Sequence, residues 1–185
     1  MKEGDTKKEY AKFKSLKREK VNWLERTELL VKEEGIQKLQ NARVLIVGLG
    51  GVGGSAAEFI TRAGIGNLTI VDGDVVSITN INRQLPALHS TIGKPKTEVV
   101  AERLLDINPA LNLMVINEFL SPERAWDIVT PDYDYVIDCI DSITPKLNLI
   151  LSSKRKRVKI VSCMGAGGAT DVSQIKVVDL MKTYN

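Results

Sequence analysis

Arg43-Val44-Leu45-Ile46-Val47-Gly48-Leu49-Gly50-Gly51-Val52-Gly53 is the stretch on which the reading of the whole chain turns. Its first five residues form a β-branched and Leu run, as expected of a central parallel strand buried on both faces. The next six satisfy G-x-G-x-x-G, and residues 55–62 then read as a helix. Glycines in such a turn let backbone N–H groups approach phosphates at a helix N-terminus. Taken alone, the loop is compatible with NAD, FAD, S-adenosylmethionine or ATP.

Outward from this point the pattern repeats. Strands are predicted at 67–71, 112–119, 133–140 and 159–163, with 175–178 as one more candidate. Helices are predicted at 96–107, from Ser121-Pro122 onward, and at 145–154. Ser121 suits an N-cap and Pro122 the first helical position. Alternating β and α segments with apolar strands imply an α/β fold: a doubly wound, mostly parallel sheet of Rossmann-like nucleotide-binding topology. Ligands bind such sheets beyond the carboxyl ends of the strands. The residues after 47, 71, 140 and 163 are therefore the ones that matter for function.

Residues 1–22 form a basic N-terminal segment, expected to be flexible, and 23–185 the nucleotide-binding domain. Residues 1–20 hold eight Lys/Arg against four acids, whereas the rest holds 18 against 19. Such a segment is either a solvated tail or an electrostatic arm for a polyanion such as RNA. The stretch at 7–40 is charged and helix-prone, with Gly35 expected to break it. No run approaches the ~20 apolar residues that span a bilayer. The first residues lack the apolar core of a signal peptide, which makes a cytoplasmic protein without membrane association the expectation. Cys139 and Cys163 read as buried, isolated thiols that match no zinc-ligand spacing.

Asp72 follows Gly48 by 24 positions at the end of a predicted strand. A carboxylate there can accept hydrogen bonds from ribose hydroxyls. The stretch Asn80-Ile81-Asn82-Arg83-Gln84, followed by Gly93-Lys94-Pro95-Lys96, is more than an NAD site needs. It suits a triphosphate: Arg83 can fork onto phosphate oxygens and Lys96 can supply a point charge. The alternative is that both are ordinary surface cations. Asp141 falls at the end of a strand facing the same crevice. A carboxylate near phosphates needs a metal between them, so Asp141 is assigned to Mg²⁺, with helix capping as the alternative. Asp138 reads as structural. His89, the one histidine, reads as a loop contact, with general base as the minority view.

Together, the glycine loop, Asp72, Asp74, Asn80-Ile81-Asn82-Arg83-Gln84, Gly93-x-x-Lys96 and Asp138-x-x-Asp141 resemble the adenylation domain of the ubiquitin-activating-enzyme superfamily. That superfamily includes enzymes that adenylate sulfur-carrier proteins. The resemblance covers roughly residues 23–180. It implies ATP and Mg²⁺ as cofactors. Asp72 would hold the ribose, Asn80, Arg83 and Lys96 the phosphates, and Asp141 the metal; Asp74 and Asn82 belong to the same motifs. An arginine near the chain start reaches a partner subunit's nucleotide in relatives. Arg26 is the best match, which implies a homodimer.

Within the superfamily, Trp23-Leu24-Glu25-Arg26-Thr27-Glu28-Leu29-Leu30, Ile140-Asp141-Ser142-Ile143-x-Pro145-Lys146 and residues 165–175 are similar to the tRNA threonylcarbamoyladenosine dehydratases. Those enzymes cyclise a carboxyl-bearing group on adenosine 37 of tRNA. The resemblance implies that a carboxylate attacks the α-phosphorus of ATP to give an acyl-adenylate, which then closes on itself with loss of AMP. It also implies no cysteine nucleophile. Two departures stand out. Val172 sits where Pro is expected, and relatives continue with a C-terminal part beyond residue 185, so the chain is expected to be truncated. The competing readings are an adenylyltransferase for a sulfur-carrier protein, a nucleotide-binding scaffold and an NAD-dependent oxidoreductase. No Cys-x-x-Cys pair of the sulfur-carrier enzymes is present. The sequence names no activating or sulfur-relay partner protein.

Overall fold

The computed structural model describes residues 22–165 and 170–183. The N-terminal basic segment thus lies outside the described residues, apart from residue 22. Five parallel strands form one sheet: β1 (Arg43–Val47), β2 (Asn67–Val71), β3 (Asn112–Ile116), β4 (Tyr135–Asp138) and β5 (Lys159–Ser162). Their order is β3-β2-β1-β4-β5. The chain therefore winds outward from β1 in one direction, then returns to its other side. β1 is buried from Val44 to Val47, whereas every residue of β3 and β5 at the edges is exposed or half-buried.

The helices are α1 (Glu25–Asn41), α2 (Gly51–Arg62), α3 (Lys96–Ile107), α4 (Pro122–Ile128) and α5 (Ile143–Arg155). Two apolar layers follow from strand alternation. Val44, Ile46, Leu68 and Ile70 point to one face, where they pack with Ala57 of α2 and Val100 and Leu104 of α3. Leu45, Val47, Val71 and Val136 point to the other, where Ile128 of α4 and Leu149 of α5 cover them. Ser121 caps α4 as expected, its hydroxyl accepting from the Arg124 amide at 3.2 Å.

Four expectations need correction. Residues 175–178 form no strand; they are irregular chain between 3₁₀ turns at Val172–Gln174 and Leu180–Lys182. β3 stops at Ile116 and β4 is confined to Tyr135–Asp138, because ladder pairing ends where the partner strand ends. Gly35 does not break α1. The kink is at Lys32, with φ 61° and ψ 173°. That reversal throws Val31 back onto Gly35, where an added Cβ would sit 2.5 Å from the Val31 Cβ. Finally, α2 begins at Gly51, so the second half of the glycine motif is helix. No helix among the described residues is long and apolar enough to cross a membrane.

Candidate nucleotide site at the carboxyl ends of the strands

The glycine loop turns at Gly48, whose φ of 90° is open to glycine and costly for other residues. An added Cβ there would lie 2.7 Å from the Cys139 carbonyl oxygen, and at Gly53 one would lie 1.7 Å from the Gly48 oxygen. These two glycines are demanded by the fold. Gly51 is tight in a different way, with the Arg83 carbonyl 3.2 Å from its would-be Cβ. Gly50 is different. A Cβ would meet nothing closer than the Gln84 side-chain nitrogen at 3.7 Å. Gly50 is the N-cap of α2 and offers no side chain to cap it. The first amides of α2 are therefore left open to an anion from outside the chain.

Asp72 ends β2 beside this loop. Its carboxylate accepts from the Leu49 amide at 2.6 Å and the Asp74 amide at 2.7 Å. A carboxylate has about four lone-pair sites, so two remain for a ligand. Asn80 closes a 3₁₀ turn: its side-chain oxygen accepts from the Ser77 amide at 3.0 Å. Asn82 orients Arg83, whose Nη1 donates to Asn82 Oδ1 and to the Thr79 carbonyl, both at 3.0 Å. Arg83 itself is exposed, in a turn where its own carbonyl rests on Gly51.

Lys96 is no ordinary surface cation. It is 5% exposed, and its Nζ donates to Asp74 Oδ2 at 2.8 Å. Asp74 in turn has a side chain 53% exposed. An incoming phosphate can thus share or displace Asp74 without stripping water from a fully buried acid. Asp141 lies exposed past the end of β4, where Ser142 Oγ donates to its Oδ1 at 3.2 Å. The N-cap of α5 is Ser142, so capping does not account for Asp141. The described residues hold no group of three or more His, Cys, Asp or Glu fit for a metal. One free carboxylate beside a phosphate cradle nevertheless suits Mg²⁺, which keeps most of its waters and shares substrate phosphates.

Arg26 is the candidate that the fold does not bring to this crevice. It is exposed in the first turn of α1. Neighbouring Leu24 packs on Gly64, beyond the far end of α2 from the glycine loop. Along a 12-residue helix that is about 18 Å. His89 is likewise exposed in a 3₁₀ turn.

Two residues of the site escaped the sequence reading. Gln84 is 7% exposed; its side-chain nitrogen lies 3.7 Å from where a Gly50 Cβ would sit, and its side-chain oxygen is buried without a hydrogen-bond partner among the described residues. Lys146 is buried under the ends of β4 and β5. Its Nζ donates to Asp138 Oδ2 at 2.6 Å, to the Cys163 carbonyl at 2.9 Å and to Ser162 Oγ at 3.4 Å. Asp138 is fully buried and also accepts from the Ser162 hydroxyl at 2.5 Å and the Ile140 amide at 3.0 Å. Its structural reading holds. Both missed residues sit inside the motifs already quoted, but only the fold shows what they touch.

The thiols differ from expectation. Cys139 and Cys163 follow paired Asp138 and Ser162, so they lie side by side, half-buried and not isolated. The neighbouring Cys139 thiol draws the Cys163 pKa down to about 6; Lys146 adds to that effect, and burial opposes it. Cys139 is pushed far up by the same contact and by burial.

Comparison with known proteins agrees with this geometry. The ThiF family profile matches residues 24–184. A tRNA threonylcarbamoyladenosine dehydratase of Haemophilus influenzae is 46% identical over 150 residues, 81% of this chain and 58% of that protein. Those of Escherichia coli and Bacillus subtilis are 43% and 39% identical, over 85% and 86% of this chain and 59% and 63% of theirs. The chain thus spans about three fifths of the length of these relatives. The crystal structure of the E. coli dehydratase superposes with a TM-score of 0.84 at 42% identity, over 87% of this chain and 67% of that one. The same enzyme solved in complex with ATP gives 0.83 at 43%, over 85% and 65%. Sequence profile, identity and strand topology converge: the chain belongs to the ThiF family.

Proposed function

We propose that this chain is the ATP-binding part of a tRNA threonylcarbamoyladenosine dehydratase and acts in the cytoplasm. The observation that carries the reading is the cradle around Gly50. There the first amides of α2 carry no side-chain cap, the backbone of exposed Arg83 rests on Gly51, and buried Lys96 pairs with Asp74, two positions from the Asp72 that holds the Leu49 amide of the loop. Gln84 brings its side-chain nitrogen to Gly50 and adds a donor there. The ATP complex of the 43%-identical E. coli dehydratase supports ATP as that ligand.

In this reading the glycine-loop amides and Lys96 bind the phosphates, Asp72 binds the ribose, and Arg83, oriented by Asn82, neutralises charge as pyrophosphate leaves. Asp141 would hold Mg²⁺, which supplies further charge neutralisation at the phosphates. The tRNA carboxylate attacks the α-phosphorus, and the acyl-adenylate closes on a neighbouring group with AMP as leaving group. Catalysis is then mainly placement and electrostatics. Arg26, remote from its own crevice, completes the site of a second copy. Val52 and Phe59, exposed on one side of α2, give a homodimer apolar surface to bury.

The test incubates the chain with ATP and threonylcarbamoyl-modified tRNA, then weighs the digested nucleoside. Loss of one water with AMP release is the expected result. An unchanged nucleoside, together with AMP transfer to a small sulfur-carrier protein, would favour the adenylyltransferase reading. Mixing Arg26→Ala and Lys96→Ala chains tests the dimer: partial recovery of activity is expected only if Arg26 acts in trans.

A further inference from the structure

Residues 142–170 contain six cations and no Asp or Glu, while the rest of the chain holds 20 cations and 23 acids. Five of the six fall in Lys154-Arg155-Lys156-Arg157-Val158-Lys159. This run joins the end of α5 to the start of β5, on the opposite end of the sheet from the glycine loop. Lys154, Arg155, Arg157 and Lys159 are exposed, and none of the five makes an ion pair among the described residues. The acids just before β4 are already engaged: Asp132 pairs with the Arg43 side chain at 2.8 Å, and Asp134 accepts the Arg43 amide.

Two of the cations are held in place by aromatic rings. Lys156 Nζ lies 4.4 Å from the centroid of Trp126 and donates to its carbonyl; Lys159 Nζ lies 5.2 Å from the centroid of Tyr135. Complementing the helix dipole accounts for Lys154 and Arg155 in the last turn of α5. It does not account for Arg157 or Lys159. Arg157 has φ 59°, the left-handed position after the helix, with its amide on the Lys154 carbonyl and the Val158 amide on that of Ser153. Glycine is the usual occupant there, because other residues are strained. An arginine stands in this place against the local backbone preference.

We infer that this patch is a docking surface for the phosphodiester backbone of RNA, and that it holds the tRNA while the modified base lies in the nucleotide crevice. The inference rests on the tRNA reading above. The patch is too far from the crevice to serve ATP: 13 residues of α5 separate them, about 20 Å. A polyanion long enough to touch both ends of the sheet is needed, and phosphate contacts by Arg and Lys position such a ligand without reading its sequence.

The experiment measures binding of an unmodified tRNA transcript by fluorescence anisotropy across a salt series. It compares the chain with its R155Q/R157G/K159Q variant and follows ATP binding by calorimetry in parallel. The expected result is at least a tenfold weaker tRNA affinity at low salt, a log–log salt slope shallower by about three, and unchanged ATP affinity. Arg157→Gly alone should weaken tRNA binding while its Tm stays equal or rises, which separates RNA contact from folding. Equal affinity and slope for the triple variant, with the parent chain binding tRNA well, would overturn the patch and leave the function reading standing. A parent chain that binds no tRNA would overturn both. Binding of phosphatidylglycerol vesicles through these same residues, with tRNA binding untouched by their loss, would assign the patch to a membrane surface instead.

Discussion

Two buried lysines face two aspartates at the carboxyl end of the sheet, and they serve different ends. Lys96 and Lys146 are 5% and 8% exposed, and their ammonium groups lie 2.8 Å and 2.6 Å from Asp74 and Asp138. Residue type, burial and pairing distance are nearly the same. The partners differ. Asp138 has no exposed surface and spends its oxygens on Lys146, Ser162 and the Ile140 amide, so that pair ties β4 to β5. Asp74 is half open to solvent and can give up Lys96 to an anion at little cost. The exposure of the counter-ion, more than the burial of the lysine, separates a cation that can take part in chemistry from one that holds the frame.

The largest expected effect is therefore on stability, at Lys146. Lys146→Met leaves Asp138 buried without its cation and should cost about 3–5 kcal/mol, read by urea denaturation. Lys96→Met should cost far less, because Asp74 can take up water. Equal losses for the two variants would break the comparison. The reciprocal effect is on rate. Lys96→Ala and Arg83→Ala should each slow adenylation by ~10²-fold or more in an ATP–pyrophosphate exchange assay, since each removes a cation from a transferring phosphoryl group. Near-parent rates in both, with folding intact, would move the chemistry elsewhere. Asp141→Ala should shift half-maximal exchange to higher Mg²⁺, and no shift would remove it as the metal's ligand.

The smallest effects sharpen the picture of the frame. Cys139→Ala and Cys163→Ala should each lose on the order of 1 kcal/mol and keep adenylation activity. Cys163 should react with iodoacetamide along a pH profile centred near 6 in the parent chain. Below that pH the thiol is protonated and slow; above it the thiolate, favoured by the neighbouring Cys139 thiol and Lys146, reacts. Removing that neighbour in Cys139→Ala should move the midpoint upward, toward an ordinary thiol. A midpoint that stays put would mean that the two sulfurs do not influence each other.

The sequence carries local rules well. β1, β2 and α3 begin and end where apolar runs, glycine and Asn108-Pro109 place them. So do the Ser121 cap and the glycine loop with Asp72 beside it. What it hides is long-range or conformational. The ends of β3 and β4 are set by partner strands, which no local pattern records. The kink at Lys32 has no glycine or proline to announce it, and the glycine nearby is a response to it. Gln84 and Lys146 gain meaning only from the neighbours that the fold supplies. The Lys154–Lys159 run escaped the sequence reading, because its place opposite the crevice follows from topology.

The strand order has a consequence for how the molecule is made. β1 pairs with β2 after a short helical crossover, but its other neighbour, β4, arrives much later: the Arg43 amide and its partner Asp134 are 91 positions apart. Contacts of such separation must meet the loop-closure entropy before they return any stability, and parallel sheets built on them form slowly. The glycine loop rests on Cys139, just past β4, so the turn at Gly48 gains its support late. During synthesis, a chain that has emerged only through β3 carries the glycine-loop sequence without the floor beneath it. Retention of nucleotide would accordingly report the arrival of β4, and ATP would act on the nascent protein as a ligand of states in which that strand is paired, drawing earlier intermediates toward them by mass action.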